Sequence, residues 1–543
     1  MKRLFLAGSA LALLLSVPAV AADAPRAPDL TARIIDAGMN HGEIMLTAQY
    51  LTDRIGGRIP NSPAMRAAER WTQSRFRDWG LSNVHAEPFL FGRGWAIEAI
   101  NVRMTLPRVL TLRAIPIAFT PGTAGPVTAD IIVAPIAKEA DFARWKGKLA
   151  GRIVLVSRPG EGSEPGKPAF QRLSDEEIRK LDTFDQPVTD SSAADRRTKR
   201  SAWDMKLDAF LKAEGALVYV KQSYRDGGLL HGEGYGYRLD DQRQVPGIEL
   251  AAEDYRRLAR LAKTNVPGAS DRVTLEIDSR VKFFAEDPNA NNIIADIPGS
   301  DAKAGYVMAG AHLDSWVAAD GANDNGAGSV VVMEAARILA SLGVKPKRTI
   351  RFALWNAEEQ GLLGSLAYID QHLAARPPET DPEKLKAGDW SGWQRRYPVT
   401  PKSDYGALAA YFNLDNGSGK IRGIYAEGNA GVAPIFREWL APFASMGATA
   451  VVNSRTGGTD HVFMQSVGLP GYQFIQDPLD YDSRVHHSSI DTFDHMKAAD
   501  LRQAAVIMAS FLWNAANRAE PLPRLVPTKP AETNPFAYPE PED

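Results

Sequence analysis

In the C-terminal half of the sequence, histidines and acidic residues lie close to the ends of several short apolar segments. In chain order they are His312, Asp314, Asp324, Glu358, Glu359, Asp415 and His487. Imidazole and carboxylate groups bind transition metals, and they also accept and donate protons in catalysis. The chain contains no cysteine, which excludes disulfides, thiolate metal sites and a cysteine nucleophile. Any transition-metal site in this chain therefore has to be built from His, Asp and Glu.

The first candidates, His312 and Asp314, follow a predicted apolar strand at 306–310. Ligands of α/β sheets bind at the carboxyl ends of strands, and a carboxylate close to a ligating imidazole can orient it. A surface histidine beside an acidic residue is the alternative interpretation of this pair. Asp324 lies in a loop of small residues before a predicted helix, and taken alone it is better explained as the N-cap of that helix.

Glu358 and Glu359 follow an apolar strand predicted at 349–355. Two adjacent carboxylates are costly to bury together because like charges raise the pKa of one of them, and a nearby cation would remove that cost. One carboxylate could then bind metal while the other takes a proton from water. Taken alone, the pair indicates the solvated start of a helix, just as Asp415 alone indicates a turn and His487 a loop.

Together these residues form a stronger pattern. Two histidines, two aspartates and two adjacent glutamates occur at the ends of successive elements, which matches two metals sharing a bridging carboxylate, with one base to spare. In these contexts the sequence resembles the co-catalytic zinc exopeptidases, which include bacterial aminopeptidases and glutamate carboxypeptidases. Segments 457–460 and 486–488 bring it nearest to the plasma glutamate carboxypeptidase branch, while 345–350 with 358–361 is also similar to the glutamate carboxypeptidase II branch.

The resemblance implies a role for each residue. Asp324 would bridge the two metals. His312 and Asp415 would complete one metal site, and Glu359 and His487 would complete the other. Glu358 would be the general base, and Asp314 would orient His312. The cofactors would be two divalent ions, with zinc preferred and manganese or cobalt as alternatives. The implied activity is hydrolysis of a terminal peptide bond in dipeptides or short peptides by a water activated at two zinc ions. An aminopeptidase or dipeptidase is slightly preferred over a carboxypeptidase.

Two other functions stay open on the sequence. One is a single-zinc glutaminyl cyclase of related fold, and the other is a non-catalytic, receptor-like relative. The complete set of ligand residues argues against the second. The sequence has no glycine-rich phosphate loop with a following lysine, no serine elbow and no His-Glu-x-x-His motif.

The elements that must position these residues predict an α/β fold, a mixed β-sheet flanked by helices. The catalytic domain is assigned to 286–518, with its N-terminal part at 31–105, where 31–79 is helical and Ser62 caps a helix. Between them, 106–285 is predicted to be an inserted β-rich domain that contains a charged stretch at 160–200. Residues 145–156 make this insertion resemble the protease-associated domain. The tail, 519–543, is rich in proline and predicted to be extended and poorly ordered.

The net charge of the chain and the pattern of its N-terminal residues limit the partners and the cell location that we expect. The 543-residue chain has a net charge of −2, so it offers no basic field for nucleic acid. Lys2 and Arg3 precede the apolar stretch 4–17 and the small residues 19–21, the pattern of a signal peptide at 1–21. We therefore expect an exported, periplasmic or extracellular protein that stays off the membrane once this segment is removed. A homodimer is allowed.

Substrate recognition is the least determined part of the sequence. Segments 457–461 and 477–484 are candidate pocket loops. Arg455 and Arg484 could bind a substrate carboxylate, and each is equally explained as a surface cation. The glycine-rich run 231–236 lacks dinucleotide-binding spacing and is interpreted as a flexible loop.

Overall fold

The computed structural model describes residues 29–163, 166–183, 192–263, 270–387 and 392–527. The predicted signal peptide at 1–21 and residues 528–543 of the predicted tail lie outside these ranges. Within them, no helix combines the length and the apolar character needed to cross a bilayer.

Eighteen strands form within the described residues. They are β1 (Ser82–Leu90), β2 (Gly94–Leu106), β3 (Leu110–Thr111), β4 (Ala114–Pro116), β5 (Val127–Val133), β6 (Ile153–Leu155), β7 (Val218–Gln222), β8 (Gly247–Leu250), β9 (Thr274–Phe284), β10 (Asn289–Ile297), β11 (Tyr306–His312), β12 (Thr349–Trp355), β13 (Ala374–Ala375), β14 (Thr400–Pro401), β15 (Leu408–Asn413), β16 (Ile421–Tyr425), β17 (Ala450–Val452) and β18 (Gly471–Gln476).

Thirteen α-helices accompany them in the described ranges. They are α1 (Leu30–Met39), α2 (Ile44–Gln49), α3 (Pro63–Asp78), α4 (Phe142–Trp145), α5 (Asp175–Lys180), α6 (Ser192–Ala213), α7 (Ala252–Leu261), α8 (Ala327–Ser341), α9 (Leu363–Tyr368), α10 (Pro382–Ala387), α11 (Ala433–Leu440), α12 (His461–Ser466) and α13 (Ala498–Asn517).

The first large sheet has the strand order β1-β10-β12-β11-β15-β18-β16-β17. Its central strands β12, β11, β15 and β18 run parallel, whereas β10 and β16 pair with their central neighbours in the antiparallel direction. These central strands are buried along most of their length, as expected for parallel strands covered on both faces. Their carboxyl ends therefore meet at one edge of the sheet.

Helices cover both faces of this sheet. A large hydrophobic cluster on one face joins apolar side chains of α1, α2, α3, α8, α11 and α13 to the strands. A smaller cluster on the other face includes side chains of α9 and α12. The predicted fold class, a mixed sheet flanked by helices, is confirmed. Most residues of α8 and α13 are buried, and their apolar side chains belong to the larger cluster.

The N-terminal region is divided more finely than the sequence indicated. Instead of one helical stretch at 31–79, the structure has α1, α2, a helical turn at Tyr50–Ile55, and α3. Ser62 does cap α3, since its side chain accepts a hydrogen bond from the main-chain N–H of Met65 (3.2 Å), with Pro63 at the first helical position.

The second large sheet has the strand order β3-β2-β9-β5-β6-β7-β8-β4. It spans Gly94 to Phe284, so its first long strand begins 12 residues before the predicted start of the insertion at 106. Separate hydrophobic clusters lie against this sheet, one including α7 and the other including α6. We call the unit from Gly94 to Phe284 the inserted domain.

The inserted domain is packed firmly onto the catalytic sheet. Phe91, Trp95, Phe119 and Tyr237 form a shared hydrophobic cluster with Ala357, next to the candidate base. Residues 166–183 of the charged stretch extend over the catalytic domain. There Arg172 forms ion pairs with buried Asp477 and with Asp500, both at 2.8 Å.

The described start of the tail also packs against the catalytic domain. Residues 519–527 form no helix or strand, in agreement with an extended segment. Leu522 is nevertheless buried, and the carbonyl of Pro523 accepts a hydrogen bond from Asn429 at 2.7 Å. This part of the tail is therefore anchored.

Candidate active site

The predicted site residues come together at the carboxyl ends of the parallel strands. His312 is the last residue of β11, Glu358 and Glu359 follow β12, and Asp415 follows β15. Because β11 pairs in parallel with both β12 and β15, these ends are adjacent at one edge. The sheet itself therefore places four of the side chains.

Asp324 is presented by the tight loop 322–326 that precedes α8, and its peptide bond to Asn325 is cis. The carboxylate of Asp491 accepts hydrogen bonds from the main-chain N–H groups of Asn323 (2.6 Å) and Asp324 (3.0 Å), and from the Asn323 side-chain amide (3.1 Å). Asp324 therefore does not act as a simple helix cap. Its side chain faces the histidines.

One set of ligand atoms surrounds Oδ1 of Asp324. His312 Nε2 lies 3.3 Å from this oxygen and 3.5 Å from Asp415 Oδ1. The Nδ1–H of His312 donates to the carbonyl of Asp314 at 3.0 Å, which leaves Nε2 free to act as a ligand. We call His312 and Asp415, with the shared Asp324, the strand-held group.

A second set surrounds Oδ2 of Asp324. His487 Nε2 lies 3.2 Å from this oxygen and 2.9 Å from Glu359 Oε2. We call Glu359 and His487, with the shared Asp324, the loop-held group. His486, which was not among the predicted ligands, stacks on His487 at 3.7 Å and places its Nε2 3.7 Å from Asp324 Oδ2.

The residues of both groups fit divalent metal ions. Buried polar atoms almost always have hydrogen-bond partners, yet four atoms here have none among the described residues. They are His312 Nε2, Asp324 Oδ2, Glu359 Oε1 and Asp415 Oδ1. Ligand atoms of His312, Asp324 and Asp415 also lie within 4.8 Å of one another. Imidazole and carboxylate donors at this spacing are typical zinc ligands.

The negative charge of the residues around the two groups also indicates a site for positive ions. The buried carboxylates of the cluster are Asp314, Asp324, Glu358, Glu359, Asp415, Asp460 and Asp491. Burial raises the pKa of Glu359, Asp460 and Asp491 to about 7 in each case. Such shifts arise where negative charge is crowded away from water, and positive ions would relieve the crowding.

Glu358 belongs to neither ligand group. Its Oε2 lies 4.0 Å from His312 Nε2, at the outer limit of an ion pair. Burial raises the pKa of Glu358 well above its usual range, with His312 opposing the shift and Asp415 adding to it. A buried carboxylate beside the metal ligands, with a high proton affinity, is suited to act as a base.

Asp314 contacts the site in two ways. Its carboxylate Oδ1 lies 3.5 Å from His312 Nδ1, while the hydrogen bond to that nitrogen comes from its main-chain carbonyl. The carboxylate instead accepts the main-chain N–H groups of Glu358 (3.2 Å) and Glu359 (3.3 Å). Asp314 therefore links the end of β11 to the two glutamates.

Three residues at the site were not identified from the sequence. Arg58 is fully buried and donates to the carbonyls of Leu313 (2.6 Å) and Gly321 (2.8 Å), which fixes the loop before Asp324. Asp460 lies buried near His312, and the indole of Trp316 stacks on the imidazole of His487 at 4.1 Å. Asp460 falls inside the predicted pocket segment 457–461, whereas nothing in the local pattern around Arg58 indicated its role.

The other predicted recognition residues have partners of their own. Arg484 is half exposed and pairs with Asp480 at 3.0 Å. In the predicted pocket segment 477–484, Asp477 is buried and bound by Arg172 and Arg422. The run 231–236, interpreted as a flexible loop, is held in place at its start. There the main-chain N–H of His231 donates to Glu249 at 2.7 Å.

Comparisons with known proteins agree with this geometry. Residues 292–512 match the model of peptidase family M28. Carboxypeptidase Q (plasma glutamate carboxypeptidase) from Bos taurus is 26% identical over 478 residues, covering 87% of this chain and 85% of the relative. The crystal structure of a peptidase M28 precursor from Shewanella amazonensis superposes with a TM-score of 0.64 at 21% identity, covering 92% of this chain and 98% of that one.

A zinc aminopeptidase from Bacillus subtilis has the same fold, with a TM-score of 0.53 at 19% identity over 89% of this chain and 97% of that chain. The likeness to the co-catalytic zinc exopeptidases, and to the plasma glutamate carboxypeptidase branch, is confirmed. Residues 292–512 therefore match peptidase family M28, and the chain is a metallo-exopeptidase of the hydrolase class.

Proposed function

We propose that this chain hydrolyses the terminal peptide bond of dipeptides or short peptides at a centre of two zinc ions. The observation that carries the proposal is the position of Asp324, whose Oδ1 faces the strand-held group and whose Oδ2 faces the loop-held group. One carboxylate with an oxygen toward each ligand set is suited to bridge two ions. Zinc is favoured because every donor is an imidazole or a carboxylate.

Two bound divalent ions supply Lewis acidity, which lowers the pKa of water and polarises the scissile carbonyl. Glu358 takes the proton from the attacking water and delivers it to the departing amine. Burial raises the pKa of Glu358 above its usual range, and its Oε2 lies 4.0 Å from His312 Nε2, beside the ligand groups. Asp314 positions Glu358 by accepting its main-chain N–H at 3.2 Å.

We further propose that the substrate presents its amino terminus. The metal ions would neutralise the three ligand carboxylates, but Asp314, Asp460 and Asp491 are buried beside the two ligand groups and outnumber the buried guanidinium of Arg58. Carboxylates that no metal ion neutralises attract an ammonium group and repel a carboxylate. An aminopeptidase or dipeptidase is therefore preferred over a carboxypeptidase.

The cell location and domain type are proposed from the sequence alone. The basic start, apolar stretch and small residues within 1–21 support a cleaved signal peptide and export to the periplasm or the medium. The inserted domain is proposed to be of the protease-associated type, on the resemblance of residues 145–156. A homodimer remains allowed.

Glu358→Gln tests the base directly. We expect about a 100- to 10,000-fold loss of hydrolysis, because a positioned general base contributes that much, with both metal ions retained. Hydrolysis of an aminoacyl p-nitroanilide and metal content by plasma mass spectrometry measure the two effects. Substantial activity with normal metal content would contradict the assignment of Glu358 as the general base.

Blocked dipeptides test which terminus is recognised. We expect cleavage to survive amidation of the C-terminus and to stop when the N-terminus is acetylated, because the acetyl group removes the ammonium charge. The opposite result would make the protein a carboxypeptidase. A content of one zinc per chain, with cyclisation of an N-terminal glutamine peptide, would identify a glutaminyl cyclase instead.

A further inference from the structure

The loop that carries His487 lies between the catalytic sheet and the inserted domain. It extends from Leu479 to Asp491, after β18, and has no strand pairing beyond a single bridge at Leu479. His487 has φ = 58°, a left-handed conformation that is unfavourable for a residue with a Cβ atom. Such a conformation persists only where surrounding contacts impose it.

The inserted domain supplies many of those contacts. Ser489 exchanges two hydrogen bonds with Leu230, its main-chain N–H donating to the Leu230 carbonyl (2.8 Å) and its hydroxyl accepting the Leu230 N–H (3.2 Å). At the other end of the loop, the hydroxyl of Ser483 donates to the carbonyl of Ala169 at 2.6 Å. Both ends of the segment around His487 are therefore tied to another domain.

Arg225 makes the central contact. It lies in the connection between β7 and β8, and its two terminal nitrogens donate to the carbonyls of His486 (3.0 Å) and Asp482 (3.1 Å). Both acceptors are main-chain atoms of the loop, one of them directly before His487. The rigid fork of a guanidinium holds two acceptors in a fixed relation better than a lysine can.

A second path reaches the imidazole itself. The indole of Trp316 stacks on His487 with 7° between the planes, and its Nε1–H donates to the carbonyl of His231 at 2.6 Å. His231 is fully buried in the inserted domain, where Ser223 contacts its ring at 2.9 Å. The inserted domain thus orients the indole of Trp316, and the indole in turn orients the imidazole of His487.

We propose that the inserted domain positions the loop-held metal site, with Arg225 as the positioning residue for His487. The strand-held site depends less on this support, since β11 and β15 place His312 and Asp415, and only the shared Asp324 is tied to the same loop, through Asp491. The inference rests on the proposed two-metal function, and it assigns the insertion a role in metal binding.

Arg225→Met tests the inference through metal affinity. We expect one ion to bind as in the wild-type protein and the other to bind about 10- to 100-fold more weakly, the usual effect of removing a residue that supports a ligand. Chelator competition on the full chain, with zinc alone as the probe, measures both affinities. Arg225→Lys, which keeps the charge but has one donating nitrogen in place of the two that reach His486 and Asp482, should recover part of the loss.

Arg272→Met is the matched control, because Arg272 lies in the same domain, is largely exposed and pairs only with Asp130 among the acidic residues described. It should leave both affinities unchanged. If Arg225→Met does not fold, Ser489→Ala, which removes one bond between the same segments, should weaken the same ion by a smaller factor. Wild-type affinity for both ions in the folded variant, or equal weakening of both, overturns the inference. A wild-type protein that binds fewer than two ions contradicts the proposed function instead.

Discussion

The strand-held and loop-held groups use the same ligand chemistry but depend on different parts of the molecule. His312 is fully buried and ends a strand whose hydrogen bonds and hydrophobic neighbours hold it on both sides. His487 is 27% exposed and lies on a loop whose partners come from the inserted domain. The first site is therefore a product of the sheet, and the second is a product of domain packing. We expect perturbations far from the metals to affect the second site first.

The largest effect is expected from Asp324→Asn, because Asp324 is shared by both groups. Neither set of ligands then holds its ion, and hydrolysis falls by about 1,000-fold or more, since several kcal/mol of transition-state stabilisation is lost at about 1.4 kcal/mol per tenfold. Metal content and the rate of peptide hydrolysis measure the outcome.

Asp320→Asn provides the control for that experiment. Asp320 lies shortly before the loop of Asp324 and is half-buried, and it is not among the residues whose candidate ligand atoms lie together. Near-normal metal content and activity are expected. Retention of one ion at full affinity in Asp324→Asn would show that the two groups do not share this residue.

A smaller, contrasting pair of effects is expected when each histidine is removed from the metal-free protein. His312→Ala leaves buried Asp324 and Asp415 without their partner, which costs about 1–3 kcal/mol of unfolding free energy. His487→Ala should cost less than about 1 kcal/mol, because water can replace a partly exposed side chain.

Urea denaturation after chelation measures this difference, and His41→Ala, at an exposed histidine paired with Asp36, is the control. Equal losses for the two ligand variants would contradict the distinction between a site held by the sheet and a site held by a loop.

The smallest effect concerns pH. Burial raises the pKa of Asp460, near the strand-held group, and of Asp491, behind the loop of Asp324, from 3.8 to about 7 in each case. Between these values the folded chain binds more protons than the unfolded chain. The stability of the metal-free protein should therefore be highest at acidic pH and fall as the pH rises to about 7.

Circular dichroism from pH 5 to 8 should show this fall in Tm, by about 1 °C for each kcal/mol in a chain of this length. Asp460→Asn should reduce the fall. Asp491→Asn should lower Tm throughout, because that carboxylate accepts three hydrogen bonds. A Tm that rises with pH over this range would contradict the assignment.

The part of the site that the sequence predicts is the part built by strands. Apolar runs at 306–310 and 349–355 identify β11 and β12, and polar residues directly after them must lie at the strand ends. Residue order then places His312, Glu358 and Glu359 together. The fold class follows from the same alternation of strands and helices.

The supporting residues could not be predicted because their partners are distant in sequence. Arg58 binds carbonyls more than 250 residues away, and main-chain acceptors leave no trace in the residue types. The run 231–236 reads as flexible because of its glycines, but the contact of His231 with Glu249 depends on the folded β8. The second sheet begins at Gly94, before the predicted start of the insertion at 106, because β2 pairs with β9 along its whole length.

Arg58 and Asp491 come from opposite ends of the chain and hold neighbouring segments of the site. Arg58 binds the carbonyl of Gly321, just before the loop of Asp324, and Asp491 binds the main chain of that loop. Synthesis proceeds from the N-terminus, so the sheet ligands and the base are made long before His487 and Asp491. A chain still on the ribosome has only part of the centre. The proposed centre is complete only once the C-terminal segment that carries His487 and Asp491 has been added.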